Sequence, residues 1–446
     1  MPKTQQPNSE TTMQTEPLKV AVVGCGSRGQ TYATYALEEP RKLRVVAIAE
    51  PDETRRGSMA ERHGLDVDAP GVVDDWHGWS AEVMASFDAV IIATLDHQHE
   101  EPAIFFATRG KHLLLEKPMA PTLEACERIA AAVEQAGVMM AICYVYRYTP
   151  YTRIIKQLID DAVIGAVQTV QHLEPVGWWH YAHSFVRGNW RREDTSSFML
   201  MTKSCHDLDW LDHIMGGPPE EVYSTGGLRH FRKEMMPDGA AERCLDCKHS
   251  QTCPYSAETW YLGCLARGER GWPVDVLTAD TSESGVRRAL AEGPYGRCVY
   301  QCDNDVVDTQ HVIGTYADGR SFTFTMTAFS ADGGRKTRIF GDRGLLEYDG
   351  VEPIRTSSET RWKPATLRHL DFVSGQYTYV DIHPPRKETA LTGHGGGDYD
   401  LMQAWTEAIR TGNRSLLLSD ASASLRSHRT VFEAEASRRL GRPIRR

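Results

Sequence analysis

The stretch from Lys19 to Gly29, KVAVVGCGSRG, constrains this chain more than any other. Lys19 to Val23 is a short, β-branched apolar run and reads as a buried parallel strand. It ends in Gly24, Gly26 and Gly29, spaced G-x-G-x-x-G, and opens directly into QTYATYALEE, a helix-like segment. In that setting Gly24 permits a tight turn, Gly26 lets a pyrophosphate approach the backbone, and Gly29 lets the helix pack closely on the strand. The phosphates would sit on free N–H groups at the positive end of the helix. Gly24, Gly26, Ser27, Arg28 and Gly29 are therefore expected to hold a dinucleotide. The plain alternative is a loop, and the strand before and helix after weigh against it.

The next segments repeat the pattern. A second β run, Arg44 to Ala49, ends on Glu50, placed to accept hydrogen bonds from the adenosine ribose hydroxyls and to repel a 2′-phosphate, which favours NAD over NADP. Arg55 and Arg56 are near enough in sequence to hold a 2′-phosphate if the loop folded back. A third run, DAVIIAT from 88 to 94, leads into LDHQHEEPAIFFATRGKH, a turn and an amphipathic helix. Loops after parallel strands line the ligand crevice, so Thr94, Asp96, His97 and His99 are expected to face cofactor or substrate. KHLLLEKP is a fourth strand ending at Glu116, Lys117 and Pro118. VMMAICYVY, followed by Arg147, is a fifth. This alternation predicts a doubly wound parallel sheet, an α/β fold.

A chain of 446 residues suggests two domains. Residues 1–17 read as a disordered polar tail, 18–147 as the dinucleotide-binding domain, and 148–446 as a substrate and oligomerisation domain with a Cys-rich insertion at about 226–305. A net charge of -10 argues against nucleic acid as the main partner. No run approaches a membrane span, and no export signal opens the chain, which implies a cytoplasmic protein without a disulfide framework.

The combination of VGCGSRG, an acidic residue after the second strand, Thr94 with His99, EKP at 116–118, and a Tyr144/Arg147 pair resembles the glucose-fructose oxidoreductase/inositol dehydrogenase (Gfo/Idh/MocA) family. The resemblance covers the first third closely and the rest by architecture. It implies a C-terminal α/β domain with an open, largely antiparallel sheet that often builds a homo-oligomer. It also implies NAD or NADP as cofactor and hydride transfer to and from a sugar or cyclitol carbon. Glu116, Arg147, Thr94 and His99 are then expected beside the cofactor, and Lys117, at a parallel strand's carboxyl end, beside the reacting carbon.

In the second part, VGWWHYAHSFVRGNWRR gathers Trp178, His180, His183, Arg187 and Trp190. Aromatic faces stack on sugar rings and Arg forks bind anions, so this segment is expected to hold a carbohydrate, an anionic one such as a uronate or sulfosugar included. A subunit interface would use the same residue types. SSFMLMTKSCHDLDWLDHIMGG is a helix with Lys203 and His206 at its start. Many members of the family carry Asp four residues before that His; here the residue is Thr202, followed by Lys203. The proton acceptor is therefore His206 without its usual partner, or Lys117 or Lys203, since adjacent ammonium groups depress one another's pKa. Helix capping is the structural alternative for Lys203 and His206.

RCLDCKHSQTCPYSAETWYLGC presents Cys244, Cys247 and Cys253 at metal-ligand spacing in a loop short of its own apolar core. Structural zinc is expected there, with Cys302, Cys298 or Cys264 as fourth ligand; an iron–sulfur cluster and free thiols are the alternatives. From Val306 on, HVIGTYADGRSFTFTMTAFS and KTRIFGDRGLLEYDG read as hairpins with period-two alternation. His394, among glycines in TGHGGGDYD, is expected at a ligand or on a plain loop.

The reading is an NAD-dependent enzyme oxidising a pyranoside carbon, C3 favoured. A redox-neutral glycosidase that borrows and returns the hydride is nearly level with it. A cofactor-binding regulator without catalysis is a third reading.

Overall fold

The computed structural model describes residues 16–350, 354–355, 359–383, 389, 391 and 393–446. The expected polar tail lies, as far as residue 15, outside the described residues. The chain forms two compact units, Met1–Thr149 with Arg386–Leu425, and Pro150–Pro385 with Arg426–Arg446. Among the described residues no helix is long and apolar enough to cross a membrane.

In the first unit the strands β1 (Leu18–Val23), β2 (Leu43–Ala49), β3 (Val72–Val73), β4 (Ala89–Ile92), β5 (His112–Leu115) and β6 (Met140–Ile142) form a six-stranded sheet in the order β3-β2-β1-β4-β5-β6. Every pairing is parallel. Val20, Ala21 and Val22 are wholly enclosed, as expected of a strand covered on both faces. The order reverses between β1 and β4, so the crevice beyond their carboxyl ends is the place where a doubly wound sheet binds its ligand.

Two glycines enforce the turn from β1 into the helix α1 (Ser27–Glu38). Gly24 has φ +90°, in the left-handed region. A Cβ on Gly29 would lie 2.0 Å from the Gly24 carbonyl oxygen, so only glycine permits this closeness of helix to strand.

Residues 386–425 belong to the first unit, although everything after 147 read as the second domain. The cause is packing. The helix Gly397–Thr411 buries Leu401, Met402 and Trp405 in the core formed by Val20, Val22 and Leu114. The Trp405 indole N–H donates to the Leu113 carbonyl at 2.8 Å. Periodicity in a sequence shows that a helix has an apolar face and is silent on what covers it.

In the second unit nine strands form one sheet. They are β7 (Val167–Pro175), β8 (Glu221–Gly227), β9 (Thr309–Thr315), β10 (Ser321–Thr327), β11 (Lys336–Gly341), β12 (Gly344–Asp349), and, beyond the small pair β13 (Ile354–Arg355) and β14 (Thr360–Arg361), β15 (Thr366–Asp371), β16 (Tyr377–Val380) and β17 (Ile444–Arg445). The order is β16-β15-β12-β11-β7-β10-β9-β8-β17, with only β7 and β10 parallel. The fold is thus α/β, a parallel dinucleotide-binding sheet followed by a largely antiparallel one.

The period-two alternation of SFTFTMT survives in β10, where Phe322, Phe324 and Met326 are buried. On the other face Thr323, Thr325, Arg338, Arg368 and Tyr379 line a cavity of about 670 Å³.

Residues 228–308, between β8 and β9, are the insertion. It is not short of a core. Trp260, Tyr261, Cys264, Val274, Val286 and Leu290 pack with Trp179 and Tyr295 in a separate apolar cluster.

Replacing Trp405 by Ala removes a fully buried indole and its hydrogen bond from the first unit. A loss of about 3–5 kcal/mol is expected. It is checked by the denaturant midpoint, with a parallel loss of NAD affinity.

Candidate active site

The glycine turn carries the first elements of a site. The Cys25 N–H donates to Glu50 Oε2 at 2.6 Å, and the Asp52 N–H to Glu50 Oε1 at 3.0 Å. Glu50 thus lies against the glycine turn with its carboxylate fixed, where an adenosine ribose is expected. Arg56 donates Nη1 to the Glu50 carbonyl at 2.6 Å and the Pro51 carbonyl at 3.3 Å.

Across the switch point, a Cβ on Gly24 would meet the Ala93 carbonyl oxygen at 2.6 Å. Thr94 Oγ1 is enclosed and has no hydrogen-bond partner in the described residues. An unpaired buried hydroxyl beside a glycine cradle fits a site that a dinucleotide completes. His99 has a different task. Its Nδ1–H donates to the Pro118 carbonyl at 2.7 Å while Nε2 lies 3.3 Å from the Thr94 carbonyl, so the ring ties the loops after β4 and β5 together.

Arg28 is the hub of this unit. Its Nε donates to Glu116 Oε1 at 2.8 Å and its Nη2 to Asp398 Oδ1 at 2.6 Å. Tyr32 adds a hydrogen bond to Glu116 at 2.8 Å, and the Lys117 N–H donates to Glu116 Oε2 at 2.5 Å. The half-buried Lys117, two residues past β5, is thereby tied through Glu116 to the glycine turn. Arg147 is buried and donates to the Leu418 carbonyl at 2.8 Å.

Asp398 reaches the other way, to His394 Nδ1 at 3.0 Å. His394 sits in the Gly393–Gly396 turn at φ 51°, a left-handed conformation uncommon for a residue with a side chain, with Tyr146 edge-on to its ring. Burial alone would raise the carboxyl pKa of both Glu116 and Asp398. Arg28 and Lys117 hold Glu116 below its ordinary value, and His394 and Arg28 do so for Asp398. From the sequence Asp398 reads as the cap of its helix; in the structure it lies in the first turn, behind Gly396. Its signal was the acidic residue opening a helix behind a glycine turn, which also reads as an ordinary cap.

The second unit places Lys203 at the end of the wide turn Leu200–Ser204 and His206 in the first turn of the helix Cys205–Met215. Lys203 Nζ lies 3.7 Å from Glu174 Oε1. Thr202 directs its hydroxyl to the Phe198 carbonyl at 3.4 Å.

For Arg187 and His183, both buried, the expectation of a substrate contact is corrected. Arg187 is buried and donates to the carbonyls of Arg297 and Tyr255, both at 2.8 Å, and to Cys244 Sγ at 3.6 Å. Its guanidinium is used inside the insertion and does not present a fork to a ligand. His183 is 2.6 Å from the Tyr261 hydroxyl and stacks on Tyr295; burial, then Arg187, pushes its pKa down to about 3. Trp178 packs edge-on to Trp260, His180 stacks on Trp179, and Trp190 lies beside Phe185. These residues are largely the surface on which the insertion folds.

The zinc expectation is corrected as well. Among the described residues no group of three or more His, Cys, Asp or Glu is placed to hold a metal ion. Cys244, Cys247, Cys253 and Cys298 line one cavity of about 20 Å³, whereas Cys302 donates to the Cys298 carbonyl at 3.3 Å. Cys302 is thus not gathered with Cys244, Cys247 and Cys253, and none of the ten cysteines is in a disulfide.

A parallel sheet with a glycine turn and an acidic residue at its crevice, joined to a largely antiparallel sheet, defines a two-domain nicotinamide-dependent oxidoreductase. Residues 18–144 match the oxidoreductase family's NAD-binding Rossmann fold and 156–445 its C-terminal α/β domain. The chain belongs to the Gfo/Idh/MocA family of oxidoreductases. It is 26% identical over 323 residues to YteT of Bacillus subtilis, 71% of either chain. It is 30% identical over 218 residues to 2,7-anhydro-N-acetylneuraminate hydratase of Mediterraneibacter gnavus, 49% of this chain and 54% of that protein. Its fold is that of the WlbA dehydrogenase from Bordetella pertussis, solved with NADH and UDP-GlcNAcA, at a TM-score of 0.62 and 16% identity over 97% of this chain and 98% of that one.

Glu50→Ala is expected to weaken NAD at least tenfold relative to NADP, read by calorimetric titration of both. Asp398, with its pKa depressed in the fold, adds stability that is complete above its unfolded value of about 3.9 and is lost as pH falls below it. The Tm deficit of Asp398→Asn should therefore be full at pH 7 and shrink between about pH 4 and pH 2.

Proposed function

We propose that this protein is an NAD-dependent sugar oxidoreductase acting at a pyranoside carbon, C3 favoured. One observation carries the reading: Lys117, at the carboxyl end of a parallel strand, is fastened through Glu116 and Arg28 to the dinucleotide turn. A group so fixed keeps its distance from a nicotinamide held on that turn. When bound, the nicotinamide supplies a two-electron acceptor. The chain supplies the proton chemistry. Lys117 takes or returns the hydroxyl proton, a role for which His206 and Lys203 of the second unit are the other candidates. The acceptor must stand within hydrogen-bond reach of the hydroxyl, because proton and hydride leave together.

Among pyranosides an anionic one is not favoured. Arg187 serves the insertion, Arg191 pairs with Asp303 at 2.8 Å, and Arg192 with Asp194 at 2.8 Å.

The His394–Asp398 pair supports a second reading. Asp398 orients the imidazole through Nδ1, the pairing that prepares a histidine for proton transfer. That is the further acid or base a redox-neutral glycosidase needs. There the carbon next to the oxidised one loses its proton to His394, the aglycone leaves, water adds to the enone, and the hydride returns. The resemblance to a protein named as a hydratase is in keeping with this sequence of steps.

A panel of nitrophenyl glycosides and free sugars with added NAD separates the two. Stoichiometric NADH from a sugar establishes the oxidoreductase; nitrophenol release without net NADH establishes the glycosidase. In the second case His394→Ala should reduce release at least a hundredfold. Turnover by Lys117→Ala equal to wild type would remove Lys117 from either scheme.

A further inference from the structure

In the second unit a buried ionic cluster surrounds the base of Lys203. Glu174, on β7, has no exposed surface. Its Oε2 accepts from the Ser204 hydroxyl at 2.6 Å, its Oε1 accepts from Arg335 Nη2 at 2.7 Å, and Oε1 also lies 3.7 Å from Lys203 Nζ. Arg335 in turn grips Asp207 twice, Nε to Oδ1 at 2.9 Å and Nη2 to Oδ2 at 3.0 Å. Asp207 accepts a further hydrogen bond from His172 Nε2 at 2.9 Å, and His172 Nδ1 is 2.7 Å from the Thr337 hydroxyl.

His206 is thus flanked in sequence by the two ends of this cluster. Lys203 and Ser204 close the turn before it and Asp207 follows it. Glu174 and Asp207 thus face Arg335 and Lys203; burial and then Asp207 push the Glu174 carboxyl pKa up, and the charges of Arg335 and Lys203 oppose that rise. Loss of the Lys203 charge would leave a buried carboxylate undercompensated, which is costly.

We propose that Glu174 is a positioning residue that holds Lys203 as a charged partner at His206, the place where an aspartate is missing at Thr202. This rests on the reading of Lys203 and His206 as acid–base groups. The charged and titratable groups around the pair include Glu174 and His172 from β7, Arg335 from the loop before β11, and His206 and Asp207 from the helix that follows Lys203. The competing role for Glu174 is structural, a pin on the turn through Ser204.

Competitive acetylation of the full chain with acetic anhydride across pH, read on the Lys203 peptide by mass spectrometry, separates the roles without any substrate. Glu174→Gln keeps the shape and removes the charge. It should lower the Lys203 midpoint by about one pH unit, roughly tenfold more labelling at a fixed pH below the midpoint. Ser204→Ala removes the pin and should leave the midpoint unchanged. Should the Gln variant not fold, Glu174→Asp withdraws the carboxylate by one methylene and should move the midpoint the same way by a smaller amount. An unchanged Lys203 midpoint in the folded Gln variant, or in Glu174→Asp if Gln does not fold, overturns the proposal. A midpoint that moves only with Ser204→Ala also overturns it. Absence of sugar turnover would sink the functional reading and leave this titration as it is.

Discussion

In each unit a guanidinium bridges two buried carboxylates beside candidate catalytic groups. Arg28 lies between Glu116 and Asp398, and Arg335 between Glu174 and Asp207. Such clusters add little net stability, because removing charges from water offsets much of their attraction, but breaking one leaves a buried charge exposed to no partner. They therefore act as registers. Lys117 and His394 take their positions from the first, and Lys203 and the start of the His206 helix from the second.

Arg187 shows what the same side chain does without carboxylates. It is as buried as Arg335, yet its partners are two carbonyls and a thiol. A cation bonded to carbonyls from Tyr255 and Arg297 fastens distant turns of the insertion to the aromatic segment. Trp179, Trp260 and Tyr295 complete that junction with apolar surface. Residue types that suit a sugar site, Trp, His and Arg, suit a compact core equally well, since both need flat apolar faces with a few directed polar atoms.

The dinucleotide turn was legible in the sequence because its determinants are local. Gly24 needs a positive φ, Gly29 needs the absence of a Cβ, and the strand and helix on either side are written in periodicity over a few residues. Lys117 and Glu50 were legible for the same reason, as strand ends in a parallel sheet. Asp398 and Glu174 were not. Each reads alone as a surface or capping acid, and each gains its role from an arginine far away, Arg28 at 370 residues' separation and Arg335 at 161. The cysteine spacing was legible and misleading, because C-x-x-C records only that two thiols share a turn.

The sequence by itself determined the order of strands and helices, the parallel sheet with its NAD turn, the family, and the alternating strands of the second sheet, all from turn chemistry and periodicity that act over a few residues. Only the tertiary structure decided that residues 386–425 return to the first unit, that the aromatic segment serves the insertion, and which acids surround Arg28 and Arg335. Those are matters of packing and charge pairing between segments from 68 to 370 residues apart, where no local pattern selects one buried partner over another.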